Sequence, residues 1–473
     1  MLRSLVSFLA GLLERGNIIE RSRLRATVDL AWPRVVTGFA RMSKQTADVA
    51  MVGIVLGAPA IAGLAFAYAY WQLVARLSLG LSGGTISLVS QYYGGDQPSL
   101  ANRAITQSCL LATVFSAPFI VLFAFGSEGL IGLLGAEPAA LEYGTIYLTL
   151  LAPALLFEFY NKIASRVFAG IGDTLTPMVI RAGGAALNIV LNAILIFGLE
   201  MGVAGAAIGT VVATVLITAG LAWGLFGRPY PRRGRLPVRL TLAGPTVDMT
   251  LLRPLVRVST PLIFQEVARA VAVFPLLAIA GIFGSTVVAA YEIGRRIRDL
   301  MNSLSWGFSI ASSSLVGRHL GANEEEIATN YGDEIIRFSL VAYVIFASLV
   351  IFFADSIAHL FVTDPETLSL ATTFIQIAAI ATIGLGIDSS ATGALRGAGD
   401  TRWPFYGALI GLYVFTLPIA YLGVITPLGV AALYVAMLTE TYISAAITYY
   451  RYRTGAWRGV SRSIRERAGQ STD

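Results

Sequence analysis

Apolar stretches long enough to cross a lipid bilayer recur along almost the whole chain, and no other feature restricts its possible folds as much. A spanning helix needs about 20 such residues, because inside hydrocarbon every backbone polar group has to be satisfied within its own segment. Twelve stretches qualify: 29–56, 59–90, 104–126, 141–168, 177–199, 202–226, 256–283, 286–317, 335–355, 367–395, 404–424 and 427–450. Charged residues make up 13% of the chain, against about 25% in soluble domains. The expected fold is all-α and integral to the membrane, with twelve transmembrane helices.

Net charge is +6, but the basic residues are scattered among apolar runs, so a nucleic-acid partner is not expected. Their placement orients the spans instead. Arg103, Arg181, Arg228, Arg232, Arg233, Arg235, Arg239, Arg337 and Arg402 fall in or beside the even-numbered connections, and the tail adds Arg451, Arg453, Arg458, Arg462, Arg465 and Arg467. The odd-numbered connections GSEGLIGLLGAEPAALE and FADSIAHLFVTDPETLS contain neither Lys nor Arg. Both termini are therefore predicted to be cytoplasmic, in a multi-pass protein of the cell membrane. The single Cys109 permits no internal disulfide and reads as a small buried hydrophobe.

Two pairs of segments match at one offset. GLSGGTISLVSQYYG begins at Gly80 and GFSIASSSLVGRHLG at Gly307, and 307 − 80 = 227; GIGDTLTP begins at Gly170 and GAGDTRWP at Gly397, and 397 − 170 = 227. Each half then holds six spans, and an even number gives both halves one orientation, related by a pseudo-twofold axis along the membrane normal. The expected organisation is an amphipathic segment over 1–28, an N-terminal lobe over 29–226, a basic cytoplasmic linker over 227–253, a C-terminal lobe over 254–450 and a basic tail over 451–473. Asp173 and Asp400, in the Gly-Asp-Thr turns, are expected to shape helix starts.

Ionisable side chains inside spans are costly and face the bundle interior or a water-filled cavity. In the first span Lys44 and Asp48 stand at i,i+4, hence on one face; Glu158 and Lys162 repeat the device in the fourth. Helix rise places Asp48 roughly 12 Å, Asn192 roughly 10 Å, Asn188 roughly 16 Å and Thr210 roughly 12 Å from the outer ends of their helices. Two readings stay open for this layer: a site for a hydrated cation or for protons, and plain interhelical bonding. The second half contributes Glu266, Arg269 and Asp388, with Arg295, Arg296 and Arg298 numerous enough to neutralise its acids. Asp48 has no acidic repeat-mate, since 48 + 227 = 275 falls on Pro275. With only His319 and His359 and no nucleophile motif, the chain is not expected to be an enzyme.

Twelve spans in a 6+6 parallel repeat, the SLVSQYYGG and SLVGRHLGAN segments, and the paired RVFAGIGDTLTP and GALRGAGDTRWP segments resemble the multidrug and toxic compound extrusion (MATE) family. The resemblance runs from about Ala31 to Tyr450. It implies a secondary antiporter that expels organic, often cationic and amphipathic, compounds in exchange for H⁺ or Na⁺ by alternating access, needs no cofactor and works as a monomer in the bilayer. Asp48 in TADVAMVGIVLG is similar to the first-span aspartate of archaeal and DinF-like members. Asn188 and Thr210 match further positions of that pattern, Asn192 replaces its usual aspartate, and Tyr147 takes the place of its fourth-span tyrosine. A Na⁺ site at Asp48, Asn188 and Thr210 is one implication. FQEV around Glu266 resembles the NorM-like setting, with Asp388 near a second acidic position. A flippase for a lipid-linked oligosaccharide is the alternative that the shared architecture leaves open.

Overall fold

Glycine and proline set the helix limits. In this computed structural model, which describes residues 19–231, 233–241, 245–362 and 364–469, α1 (Arg21–Leu56) stops at Gly57, whose φ of 75° is left-handed, and α2 (Ala58–Gly94) restarts with Pro59 in its first turn. The first half continues as α3 (Pro98–Gly132), α4 (Pro138–Leu151), α5 (Ala154–Gly170), α6 (Leu175–Ala193) and α7 (Gly202–Leu225). In the second half come α8 (Met249–Ile282), α9 (Ser285–Gly321), α10 (Glu325–Phe352), the short α11 (Ala354–His359), α12 (Pro365–Gly397), α13 (Arg402–Leu409), α14 (Leu417–Ile425), α15 (Ala431–Arg453) and α16 (Trp457–Gly469).

The repeat extends to the backbone. Helices α2 and α9 begin 227 residues apart (285 − 58) and end 227 apart (321 − 94); the same offset separates the starts of α3 and α10 (325 − 98), of α4 and α12 (365 − 138) and of α6 and α13 (402 − 175). Left-handed Gly57, Gly172 and Gly202 recur as Gly284, Gly399 and Gly429. Asp173 accepts from the Thr176 backbone N–H at 3.0 Å, next to the start of α6, whereas Asp400 is ion-paired with Arg451 at 2.7 Å.

Every one of the twelve expected stretches falls on helix, but twelve is not the number of clearly apolar spans. Among the described residues nine helices are long and apolar enough to cross a membrane, or ten if α4 and α5, bent by 54° at their break, form one span. The exceptions α1 and α9 are 36 and 37 residues long, so length is not their shortfall; both carry several charged side chains. Of the expected amphipathic segment 1–28, residues 1–18 lie outside the described residues, and Arg21 to Val28 form the first turns of α1.

Among the described residues two compact units result, Pro33–Ser259 and the stretch from Thr260 onward together with residues 19–32. The second unit begins inside α8, and α8 itself starts at Met249, within the expected linker. In that second unit Leu30 packs with Phe308, Leu315 and Tyr343, and Arg23 pairs with Glu334 at 2.5 Å. Trp457 of α16 is fully buried and stacks on Tyr452 at 5.6 Å. Arg462 grips Glu325 with two bonds of 2.6 Å, and this hydrogen bonding holds the Glu325 carboxyl below its usual range.

Small residues let α9 and α12 approach closely, the usual device where lipid supplies no hydrophobic drive between helices. Ser312 and Ser313 donate to the Ser390 and Gly393 carbonyls at 2.9 and 2.7 Å. A Cβ on Gly393 would stand 2.5 Å from the Ser309 carbonyl oxygen, a backbone atom that can retreat only if α9 moves. Gly393→Ala is accordingly expected to destabilise this unit by about 1–3 kcal/mol, read as a lower unfolding midpoint of the purified protein in detergent.

Candidate functional site

Five helices of the Pro33–Ser259 unit bring their polar side chains to one place. Asp48, on α1, is fully buried, and Lys44 one turn earlier reaches it, Nζ to Oδ2, at 3.1 Å. From α2 the Tyr68 hydroxyl donates to the same oxygen at 3.1 Å, while Asn192 of α6 donates its Nδ2 to Oδ1 at 2.7 Å. Lys44 Nζ also donates to Thr210 Oγ1 on α7 at 3.3 Å, and Asn188 Nδ2 donates to that hydroxyl at 3.3 Å. Asn192 Nδ2 meets Asn188 Oδ1 at 3.5 Å. The bonds therefore close a ring through Asp48, Lys44, Thr210, Asn188 and Asn192. On α4, Tyr147 donates to the Tyr68 oxygen at 3.2 Å, with the two rings 5.6 Å apart.

Local sequence explains this convergence. Lys44 and Asp48, and Asn188 and Asn192, share helix faces through their i,i+4 spacing. Gly209 precedes Thr210 and lets α7 lie against the Asn192 amide: a Cβ there would come within 1.9 Å of Asn192 Oδ1. Two residues after Asn192, α6 widens into a π-helical turn over Ile194–Gly198, a distortion frequent at functional sites.

Electrostatically the ring is self-balanced. One carboxylate faces one ammonium and accepts two further neutral donors, which is what a buried charge requires. Asp48 is closed to solvent, and Lys44, with 18% of its side chain exposed, is the ring member that touches it. Asn192 Oδ1 is buried with no hydrogen-bond partner.

The remaining expected residues form separate groups. Glu158 and Lys162 are ion-paired along α5. In the other unit Asp388 accepts from Arg269 at 3.3 Å, Ser444 at 3.0 Å and Thr448 at 2.9 Å, and Glu266 lies within electrostatic reach of Arg396. The expected neutralisation by the α9 arginines does not take that form: Arg295 pairs with Glu292 at 2.9 Å and Arg298 with Glu440 at 2.5 Å. Sequence reasoning missed Tyr68, Ser444 and Thr448. Depth alone points to Tyr68, ten residues into α2 and so roughly 15 Å from its outer end, close to the level of Asp48.

A sequence repeat carried into the helix limits, many apolar helices and buried ionisable groups held between helices define a multi-pass membrane protein of the transporter class. The chain matches the MatE family over residues 33–194 and 261–422, stretches offset by 228 (261 − 33), and it belongs to that family. Among relatives, a probable multidrug resistance protein NorM of Thermotoga maritima is 24% identical over 451 residues, covering 93% of this chain and 94% of that one. A crystal structure of MATE in the bent conformation superposes with a TM-score of 0.86 at 20% identity, covering 93% and 97% of the two chains. One in the straight conformation superposes with a TM-score of 0.83 at 21% identity, covering 92% and 96%.

Proposed function

We propose that this protein is a multidrug efflux transporter, not an enzyme, that expels organic compounds across the cell membrane in exchange for protons, with the Asp48–Lys44 pair as the coupling group. Relatives named for multidrug resistance support the cargo class, and the arginine distribution supports cytoplasmic termini. The protein is read as a monomer whose solvent is the bilayer. It needs no cofactor, only the coupling ion.

One observation carries the choice of ion: Lys44 Nζ lies between Asp48 Oδ2 and Thr210 Oγ1, 3.1 and 3.3 Å away. A hard cation binds through oxygen atoms that turn their lone pairs toward it. Here the Asp48 oxygens already accept three donors, and a tethered ammonium supplies the positive charge that Na⁺ would bring. The aspartate expected at position 192 is an amide, which removes a further negative charge. A proton suits the arrangement better. Protonating Asp48 removes the counter-charge of Lys44 and turns one carboxylate oxygen from an acceptor into a donor, so the Lys44 and Tyr68 bonds to Oδ2 have to rearrange when the proton sits there, and the packing of α1 against α6 and α7 changes. Pro33, inside α1, has no N–H to give the helix and is the point where α1 bends most easily. Coupling follows when the proton favours one of two arrangements over the other.

Proteoliposomes loaded with ethidium test this directly. Efflux is expected under an imposed pH gradient in sodium-free buffer and not under a Na⁺ gradient alone; a Na⁺ gradient that suffices by itself overturns the proton assignment. In Lys44→Met the tethered cation is gone, and proton-driven efflux is expected to fall more than about tenfold, because the buried Asp48 then lacks the opposite charge that faces it. Unchanged pH-driven efflux in that variant would remove Lys44 from the mechanism.

A further inference from the structure

The linker after α7 and the tail from Arg451 onward each fold back onto their own unit and grip equivalent positions there. In the Pro33–Ser259 unit, Arg233 of the linker pairs with Asp173 in the Gly-Asp-Thr turn between α5 and α6, Nη1 to Oδ1 at 3.1 Å. The Arg239 backbone N–H donates to Asn102 Oδ1, near the start of α3, at 2.6 Å. In the other unit the repeat-mates of these two positions are Asp400 (173 + 227) and Thr329 (102 + 227). Arg451 pairs with Asp400 at 2.7 Å, and the Tyr452 hydroxyl donates to the Thr329 carbonyl at 2.9 Å. The gripping residues are not mates, since 233 + 227 falls on Val460 and 239 + 227 on Glu466. Different side chains therefore hold the same two points, and the halves share the holding rather than a sequence pattern that does it.

The means differ. Thr106 Oγ1 donates to the Thr241 carbonyl at 2.6 Å and accepts from the Thr241 N–H at 3.3 Å. Gln107 Nε2 donates to the Thr246 carbonyl at 3.1 Å, and Gln107 Oε1 accepts from the Asp248 N–H at 3.2 Å. Asp248 itself is buried and ion-paired with Arg103. The linker is thus held largely through its own main chain. The tail starts from a fixed point: Trp457 is fully buried, and its Nε1 donates to the Tyr452 carbonyl at 2.8 Å. Further along α16, Arg462 and Arg465 reach Glu325 and Asn323 at the start of α10, and Arg462 is 57% exposed. Exposed ion pairs contribute little and are screened by salt, whereas bonds between uncharged groups are not.

We propose that linker and tail are straps with one task, each fastening the helix ends of its own unit on the side read as cytoplasmic, and that the tail strap opens while the linker strap stays shut. Opening swings α16 about Trp457 and releases Glu325 and Asn323, so the first turns of α10 loosen. The first turns of α3 stay in place under the same conditions. The straps belong to the fold of each unit and do not depend on the export reading.

Hydrogen exchange of the full-length protein in phosphatidylcholine nanodiscs, read by mass spectrometry, tests this. The repeat-mates Ala101 and Ala328 donate backbone bonds to the Gln97 and Glu324 carbonyls where α3 and α10 begin, so the segments 101–110 and 328–337 report on the two straps. On raising salt from about 0.05 M to about 0.5 M, exchange over 328–337 is expected to quicken about two- to fivefold and exchange over 101–110 to stay as it is. Arg462→Gln with Arg465→Gln is expected to quicken 328–337 by a similar factor in low salt and to abolish its salt response. Asn102→Ala with Gln107→Ala removes the side chains that hold the linker and puts the stronger helix former into α3. Without a strap that change slows exchange over 101–110; with one, faster exchange is expected. Equal salt responses at the two segments, or a 328–337 segment indifferent to the arginine substitutions, overturns the opening tail. Slower or unchanged exchange over 101–110 in the alanine variant overturns the linker strap. The salt comparison uses the unaltered chain, so it decides even where a variant fails to fold.

Discussion

Asp48→Asn is expected to abolish gradient-driven efflux while the protein still inserts and purifies. Asp48 is the one carboxylate in its ring, so its amide replacement removes both the proton acceptor and the counter-charge of Lys44. Breaking a buried pair by removing one partner costs about 3–5 kcal/mol. Because part of the Lys44 side chain is exposed, the ammonium can retreat toward water, and the stability loss is expected at or below the low end of that range. Transport has no such escape. On the proposed proton coupling, loss of the titrating group removes the differential between the two arrangements of α1 that ties them to the gradient, and ethidium efflux from proteoliposomes is expected to drop by about two orders of magnitude or more. Efflux above about a tenth of the wild-type rate would show that coupling resides elsewhere.

Gly209→Ala is the second large effect, and it touches no charged group. The new methyl would sit 1.9 Å from Asn192 Oδ1, so either the amide swings off Asp48 or α7 moves away from α6. The first outcome removes the 2.7 Å bond to Asp48 and leaves a carboxylate oxygen underserved; the second separates Thr210 from Lys44 and Asn188. Overpacking of this kind costs about 1–3 kcal/mol, and proton-driven efflux is expected to fall with it. Gly183 is the control. Nothing lies within 4 Å of a Cβ built there, so Gly183→Ala is expected to be neutral or slightly stabilising in the same unfolding and efflux assays. Equal behaviour of the two variants would mean that α6 and α7 do not need their close approach at Asn192.

Much of the architecture is legible in residue order because membrane insertion depends on local quantities. An apolar run either reaches across hydrocarbon or does not, and a Gly-Asp-Thr turn closes the same way at 172 as at 399. The 227-residue offset, visible in two short segments, extends to helix starts and ends because each repeat unit folds from equivalent punctuation. The count of spans was the weak point: α1 and α9 spend their length on charged side chains, so their apolar character is low even though both are long continuous helices.

The candidate site was legible in part. The i,i+4 spacings predicted which faces Lys44, Asp48, Asn188 and Asn192 occupy, and depth arithmetic placed Thr210 at their level. Chain order carries no information about which faces of α1, α2, α4, α6 and α7 turn toward one another, so Tyr68 was overlooked and the layer could not be assigned between a cation or proton site and plain interhelical bonding. For the same reason the partner of Arg298 was not legible, since Glu440 lies 142 residues away in the chain and 2.5 Å away in space.

Composition and order by themselves determined that this is a helical membrane protein of two repeats with a few ionisable groups sunk in it, because burial in lipid is decided residue by residue. Only the tertiary structure decided that Asp48 is closed to solvent and that an ammonium fills the place beside it. Those facts depend on distances between helices, and electrostatic interaction changes steeply over the few ångströms that helix packing sets.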